Sequence, residues 1–277
     1  FENPYVDAGK SNSVVGSEQS MAKALDIQKK SIVLLDNKAK ILPLKSGAKL
    51  YTMGMDKATV ESYGYTVTDG NYTTGKTTRP AVPAGTDVAL IRVLVTDKGF
   101  TYNSKNPATG ANPAYINPLT GMTWGSQDPC VMYPAINATC SDTGSMGGAL
   151  PWEVGDISFS GMAKATSRTM YPTLDDIKAI MNEIGDPKKV VLSIYFRAPY
   201  VMDDNSDLKN AGAIVATFGV GDKAMMEVVS GKFKPQGKMP FALPKTLKAV
   251  EEQKTDVPGY DETTDGALYK FGFGITY

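Results

Sequence analysis

Histidine is missing from this 277-residue sequence, and cysteine occurs only twice. Without an imidazole the chain has no Ser-His-Asp or Cys-His catalytic group, no histidine metal ligand and no imidazole pH switch. Two cysteines are too few for a four-cysteine metal site. Acid and base chemistry therefore falls mainly to carboxylates, and we expect neither a metal nor a cofactor.

Charge of one sign and long hydrophobic runs are also lacking. The 29 Lys and Arg residues balance 29 Asp and Glu residues, so no basic field covers the chain, and we expect a neutral partner rather than nucleic acid or a membrane surface. No run of about 18 apolar residues is present, which excludes a transmembrane helix. The start at Phe1 lacks an initiator Met and the regions of a signal peptide, so we expect a chain cut from a longer one.

The two cysteines, Cys130 and Cys140, lie in a stretch rich in Pro, Asn, Ser and Gly. Their spacing is compatible with a disulfide that closes a short surface loop. In the chain-entropy model such a loop would gain about 3 kcal/mol. Two inert thiols are the alternative.

Several patterns in the first half predict regular structure. Apolar residues recur near helical spacing from Glu18 to Leu35 and predict a helix that leads into the domain. The β-rich runs 50–53 and 88–95 predict strands, and the second is nearly continuous apolar, as buried parallel strands are. Periodicity is then lost over residues 98–150, which we interpret as a long functional loop or a partly disordered one.

The second half alternates between predicted helices and strands. Thr173 has the position of a helix N-cap, with acidic residues in the first turn after it. The elements predicted from there are a helix to about Ile184, a strand 190–196, a short helix 206–211, a strand 213–218 and a helix 222–230. This alternation implies right-handed crossovers. The sequence therefore predicts an α/β fold: a layered α/β/α sandwich with a mostly parallel sheet and long loops.

Ligands of such sheets bind outside the carboxyl ends of the strands, so chemistry is expected after Val95, Phe196 and Phe218. One motif there, Gly219–Ala224, fits a dinucleotide-binding fingerprint by letter and follows a predicted strand. The next β-like segment has no acidic residue to hold a ribose, and a tight turn needs glycines in any case. A nucleotide-binding α/β protein therefore remains only as an alternative.

Several stretches, in their order and separation along the chain, resemble the second domain of glycoside hydrolase family 3. They are 1–5 (FENPY), 24–35 with 42–44, 216–221 (ATFGVG), 231–241 (GKFKPQGKMPF) and 271–277 (FGFGITY). The resemblance implies a retaining, exo-acting hydrolase of β-linked glucosides or related sugars, built from an amino-terminal barrel and this α/β sandwich. Residues 1–277 would then be a single carboxy-terminal domain, with 1–17 left from an interdomain linker and 98–150 a long loop insertion.

The same resemblance places the nucleophilic aspartate on the barrel, which is absent from this sequence. This chain would supply the acid/base side of a shared active site, and alone we expect it to be inactive. Its partners would be the barrel and a β-linked glucoside or oligosaccharide. A secreted or periplasmic location is expected for such an enzyme.

The resemblance assigns the acid/base to a glutamate in a loop of this domain, and Glu153 is the candidate. It lies in 147–156 (GGALPWEVGD), where Trp152 provides a sugar-stacking face beside a carboxylate. Asp156 is the second candidate. The alternative is a solvated Glu153 with Trp152 packed under the loop. Some family members carry a Glu-His pair after the second strand, where this sequence has Thr96-Asp97-Lys98.

Two further residues are candidates for sugar contacts. Arg197 follows the strand 190–196, where it would hydrogen-bond sugar hydroxyls or orient a carboxylate, or else form a structural salt bridge. Trp124 lies between Gly121 and Gly125 and would form a subsite wall, or else anchor its own loop. A non-catalytic carbohydrate-binding or scaffold domain of the same ancestry is the main alternative function.

Overall fold

A mixed sheet of seven strands forms the centre of the part of the chain described by the computed structural model, which covers residues 5–71, 78–97, 157–165, 168–254 and 256–277. The strands are β1 (Val33–Asp36), β2 (Lys49–Met53), β3 (Thr66–Asp69), β4 (Val88–Asp97), β5 (Arg168–Tyr171), β6 (Val190–Tyr195) and β7 (Ala213–Thr217). Their order is β1-β7-β6-β4-β2-β3, and β5 pairs with the last residues of β4. All these pairings are parallel except those of β1 and β5.

Seven α-helices and a small second sheet accompany this sheet in the described ranges. The helices are α1 (Ala8–Val14), α2 (Glu18–Ser31), α3 (Lys57–Glu61), α4 (Phe159–Lys164), α5 (Leu174–Glu183), α6 (Asp222–Val229) and α7 (Leu247–Glu252). The second sheet pairs β8 (Leu243–Pro244) with β9 (Ala267–Tyr269) in antiparallel fashion. No helix in the described ranges is long and apolar enough to cross a membrane.

The hydrophobic core lies in two layers, one on each face of the large sheet. Side chains of β4 alternate between them: Ile91 and Val93 belong to one buried cluster, and Leu90 belongs to the other. The helices α4 and α5 contribute to the first cluster, and α3 and α6 contribute to the second. Because helices cover both faces, the predicted α/β/α sandwich with a mostly parallel sheet is confirmed.

The second half of the chain follows the predicted elements closely. Thr173 is the N-cap of α5, and its hydroxyl oxygen accepts a hydrogen bond from the Asp176 backbone nitrogen at 3.1 Å. The helix ends at Glu183, one residue before the predicted end. The predicted short helix 206–211 is instead a pair of 3₁₀ turns, Asp204–Ser206 and Leu208–Asn210.

The predicted helix from Glu18 to Leu35 is wrong at its carboxyl end. α2 ends at Ser31, and the following residues form the edge strand β1, antiparallel to β7. Ile32 and Val33 are β-branched and fully buried, so they suit a pleated surface better than a helix. The apolar spacing at the end of the predicted helix therefore belongs to a strand.

Candidate functional site at the carboxyl edge of the sheet

Five parallel strands end at the same edge of the sheet, which is where a ligand of an open α/β sheet binds. They are β2, β3, β4, β6 and β7. The turns that follow β2, β3 and β7 carry a connected set of polar side chains. The loop that follows β6 carries Arg197.

A charged pair joins two of these strand ends. Arg92, which lies in β4 one position past the residue paired with the end of β2, places its Nη1 2.6 Å from Oδ1 of Asp222, the first residue of α6. The other Asp222 oxygen accepts a hydrogen bond from the Asp56 backbone nitrogen at 2.7 Å. Both side chains of the pair are about one fifth exposed. The pair therefore holds the turn after β2 against the start of α6.

The Arg92 guanidinium is not fully used by this pair. Its Nη2 atom is buried and has no hydrogen-bond partner among the residues that the structure describes. Gly54 packs against the base of the Arg92 side chain and its backbone, because a Cβ on Gly54 would sit 3.1 Å from both the Arg92 Cβ and the Arg92 carbonyl oxygen.

Asn71 links the turns after β2 and β3. Its Oδ1 accepts hydrogen bonds from the Gly54 backbone nitrogen at 2.6 Å and from the Tyr171 hydroxyl at 3.0 Å. Its Nδ2 donates to the Met55 carbonyl oxygen at 3.1 Å. These three hydrogen bonds connect the turn after β3 to the turn after β2 and to β5, so Asn71 stabilises this edge of the sheet.

The glycine turn after β7 does not present a free phosphate site. Gly219 has φ +95°, a conformation that favours glycine. The Gly221 nitrogen donates to Oε1 of Gln28 at 2.7 Å, and Asp222 places a carboxylate in the first turn of α6. A negative side chain at this helix start opposes a phosphate. The arrangement favours the structural interpretation of the glycine motif over nucleotide binding.

Both ends of the segment 98–156 are attached near this edge. On one side, Asp97 ends β4 and lies opposite Arg168 in the antiparallel pairing of β4 with β5. On the other, the Val201 nitrogen donates to the Ile157 carbonyl oxygen at 3.0 Å, and the Phe159 nitrogen donates to the Val201 carbonyl at 3.1 Å. Residue 157 is therefore fixed against the loop that follows β6.

Arg197 lies in that same loop and is exposed. The loop is anchored by aromatic contacts: the Tyr200 ring lies 6.0 Å from Phe196 and 5.7 Å from Phe159, measured between ring centroids. Arg197 makes no ion pair with any residue in the described ranges, so the predicted structural salt bridge is not found there. The arginine stands at the expected edge, next to the anchor of residue 157.

The other predicted site residues lie outside the described residues. They are Glu153, Asp156, Trp152, Trp124, Cys130 and Cys140. Their roles therefore stay predictions. In the described ranges, no group of three or more Cys, Asp and Glu side chains is placed to hold a metal ion.

Hydrogen bonds and nearby charges lower the pKa of several described carboxyls, namely Asp26, Asp56, Glu183, Asp204 and Glu252. For Asp56, hydrogen bonds from Thr59 are the cause, and for Glu183 it is first the hydrogen bond from Arg79. A general acid needs the opposite shift, since it must carry a proton near neutral pH. These five groups are held ionised and are unsuited to that role.

Sequence reasoning missed the polar network of Arg92, Asp222 and Asn71. One signal was present, because Arg92 interrupts an otherwise apolar run, 88–95, that was predicted to be a buried strand. A charge in such a strand needs a partner. The partner lies 130 positions further along the chain, so only the fold identifies it.

Comparison with known proteins supports the family resemblance found in the sequence. Residues 162–277 match the glycosyl hydrolase family 3 C-terminal domain. Beta-glucosidase C of Emericella nidulans is 27% identical over 280 residues, a match that covers all of this chain and 33% of that protein. A periplasmic beta-glucosidase/beta-xylosidase of Dickeya chrysanthemi is 24% identical and is matched over 31% of its length. The chain thus spans about a third of these relatives.

Solved structures show the same fold. A β-glucosidase from Erythrobacter marinus superposes with a TM-score of 0.57 at 16% identity, covering all of this chain and 38% of that one. The Listeria innocua β-glucosidase in complex with glucose gives a TM-score of 0.54 at 15% identity, covering 36% of that chain. At such identities the likeness concerns the fold alone.

By its fold the protein is an α/β sandwich domain, and its polar edge lies at the carboxyl ends of the parallel strands. More narrowly, residues 162–277 match the C-terminal domain of glycosyl hydrolase family 3, and β-glucosidases are similar to this chain over its whole length. The family resemblance found in the sequence is thereby confirmed.

Proposed function

We propose that this chain supplies the acid/base side of a β-glucosidase-type active site, which an amino-terminal barrel domain completes. The relatives named above are β-glucosidases, one of them also a β-xylosidase, and each is about three times as long as the matched region. The remaining two thirds of such a protein leave room for a barrel. The substrate proposed here is a β-linked glucoside or oligosaccharide.

The anchoring of the segment 98–156 is the observation that carries this proposal. Asp156 directly precedes Ile157, which is hydrogen-bonded to Val201 in the loop after β6. Glu153 is four positions before Ile157, and a stretch of that length spans at most about 14 Å. This chain connectivity supports Glu153 and Asp156 as candidates for a site beside the loop that bears Arg197.

The proposed chemistry is a retaining hydrolysis. Two carboxyl groups about 5 Å apart are needed, one to attack the anomeric carbon and one to protonate the departing oxygen. Glu153 would protonate the departing oxygen and then act as the base that activates water in the second step. An aspartate of the barrel would be the nucleophile. Asp156 is the second candidate for the acid/base.

Three other residues would bind the sugar rather than react with it. Trp152 and Trp124 would provide apolar faces on which sugar rings stack. Arg197 would hydrogen-bond sugar hydroxyls or orient the acid/base carboxylate. The exposed position of Arg197 at the carboxyl edge supports this role.

The domain assignment and location belong to the same proposal. Residues 1–277 would form a single domain, with 1–17 as the linker from the barrel and 98–150 as a loop insertion. Helix α1, which falls in the linker, has no buried residue, as a linker would allow. A secreted or periplasmic location agrees with the periplasmic relative from Dickeya chrysanthemi, and there Cys130 and Cys140 would form a disulfide.

The substitution Glu153→Gln in the protein joined to its barrel tests the central role. Hydrolysis of cellobiose, which has a poor leaving group, should fall about 10²–10⁴-fold. Hydrolysis of dinitrophenyl β-glucoside should slow far less in its first step, because that leaving group needs little protonation. Azide should partly restore the second step. Asp156→Asn should not reproduce this contrast between substrates.

Glu251→Gln is the matched control, because Glu251 is an exposed glutamate in α7. It should leave both rates unchanged. If Glu153→Gln also leaves both rates within about twofold, well under 1 kcal/mol, Glu153 is not the acid/base. If every loop carboxylate behaves this way while sugar binding persists, the domain is a non-catalytic carbohydrate-binding module.

A further inference from the structure

A cleft of about 930 Å³ opens at the opposite edge of the sheet, where the parallel strands begin. Its walls are the loop between β1 and β2, the residues entering β4, and the turn entering β6. The candidate site described above lies at the other end of these strands. The cleft therefore needs an explanation of its own.

The lining is rich in lysine. Lys38, Lys40, Lys45, Lys188 and Lys189 face two aspartates, Asp87 and Asp186. Lys38 pairs with Asp36 at 2.8 Å, whereas the other four lysines make no ion pair within the described ranges. A concave surface with an excess of one charge concentrates ligands of the opposite charge.

The two aspartates are fixed by backbone hydrogen bonds rather than by the lysines. Asp186 Oδ1 accepts from the Lys188 nitrogen at 2.9 Å, and Asp87 Oδ2 accepts from the Lys49 nitrogen at 2.8 Å. Each carboxylate keeps further lone pairs for another donor. The cleft thus presents cationic donors and anionic acceptors together.

The loops that carry the lysines are rigidly built. Asn37 brackets its loop, since its Nδ2 donates to the Leu42 carbonyl at 2.9 Å and its Oδ1 accepts from the Leu42 nitrogen at 3.1 Å. Within this bracket Lys40 has φ +51°, a strained conformation for a lysine. Loop residues of this kind persist where the surroundings hold them, so the position of Lys40 is determined by the fold.

The turn before β6 is packed equally tightly. Gly212 donates to the Pro187 and Val190 carbonyls and accepts from the Ala39 nitrogen at 3.1 Å. A Cβ at Gly212 would lie 1.9 Å from the Lys188 carbonyl oxygen. The two lysine-bearing loops are therefore joined through Gly212, and the cleft does not need to form when a ligand binds.

From these features we propose that the cleft binds a carboxylate-bearing saccharide, such as a segment of a uronic acid polymer. The lysines would receive the carboxylates, and Asp87 and Asp186 would accept hydrogen bonds from hydroxyls. Ile41 and Pro43 supply apolar surface for the carbon face of a sugar ring. A bare phosphate or sulfate would use the lysines alone, whereas an acidic sugar also has hydroxyls that donate to Asp87 and Asp186, so the mixed lining favours an acidic sugar.

Calorimetric titration of the full chain with tetragalacturonate tests this proposal. Cellotetraose, a neutral oligosaccharide of the same length, and inorganic phosphate are the comparison ligands. Tetragalacturonate should bind at least tenfold more tightly than either, and its affinity should fall as salt is added. The variant K40Q/K188Q should bind it at least tenfold more weakly.

The matched control is K234Q/K245Q, which removes two exposed lysines from outside the cleft. It should bind tetragalacturonate like the wild type, and circular dichroism should show both variants folded. Absence of tetragalacturonate binding would overturn the proposal, as would equal losses in the two variants. Phosphate binding as tight as that of tetragalacturonate would overturn the assignment to a saccharide.

Discussion

Two arginines next to the sheet differ in how completely the described structure uses them. Arg79 is 7% exposed, and its two terminal nitrogens donate to both carboxylate oxygens of Glu183, at 2.9 and 2.7 Å. It also donates to the Tyr51 hydroxyl at 3.2 Å and to the Pro80 carbonyl at 3.1 Å. Arg92 makes one ion pair, to Asp222. Each arginine also has one buried nitrogen without a hydrogen-bond partner in the described ranges, Nε of Arg79 and Nη2 of Arg92, so the two differ in how many bonds they make.

This difference separates an arginine that stabilises the fold from one that lies at the candidate site. Arg79 joins the segment entering β4 to the end of α5, because Glu183 also accepts from the Val82 nitrogen at 2.8 Å. Arg92 stands at the carboxyl edge, where the proposed barrel and substrate would meet this domain. Stability should therefore depend more on Arg79 than on Arg92.

Arg79→Ala should produce the largest loss of stability. Removing one partner of a buried ion pair costs about 3–5 kcal/mol. We expect about 3 kcal/mol here, since the Glu183 side chain is 33% exposed and regains some water. Urea unfolding measures the change. Lys57→Ala is the control, because the Lys57 to Glu61 pair is nearly half exposed on both sides and should contribute under about 1 kcal/mol.

A shift no larger than that of the control would show that Arg79 is not structural. The expectation that stability depends more on Arg79 than on Arg92 would then be wrong.

Acid should narrow the gap between wild type and Arg79→Ala. The Arg79 hydrogen bond lowers the pKa of Glu183 in the folded state. Its stabilising effect is therefore present above the unfolded pKa, about 4.3, and is lost as pH falls through the lower folded value. Urea midpoints measured from pH 6 to pH 3 should converge in the acid range. A gap that stays constant down to pH 3 would contradict this assignment.

The Arg92 to Asp222 pair should contribute less than the Arg79 cluster. We expect Arg92→Met and Asp222→Asn each to cost about 1–2 kcal/mol, with a coupling energy of about 1 kcal/mol in a double-mutant cycle. Both groups keep partial contact with water, which limits the cost of separating them. A loss larger than that of Arg79→Ala would reverse the comparison.

The predictable part of the fold is the part whose signals are local. Thr173 is a recognisable N-cap residue and so predicts the start of α5, and the apolar run 190–196 is long enough to identify β6. β1 was missed because its short apolar run directly continues the helical pattern of α2. Its strand conformation depends on pairing with β7, whose residues lie about 180 positions away.

The same limit applies to the candidate site. Arg197 was placed correctly at the carboxyl edge, because it directly follows a predicted strand. Asn71 was not selected, since its role comes from three partners on separate elements, Gly54, Met55 and Tyr171. The lysine cleft is assembled from three loops, so the spacing of residues along the chain does not predict it either.

The most direct test of the shared active site is the hydrolysis of an aryl β-glucoside by this chain without a barrel. We predict no turnover above the uncatalysed rate, because an acid/base without its nucleophile forms no covalent intermediate. Intact folding is checked by the urea transition of the same sample. Turnover that is abolished by Glu153→Gln, with no barrel present, would show a complete active site in this chain and contradict the proposal that the barrel supplies the nucleophile.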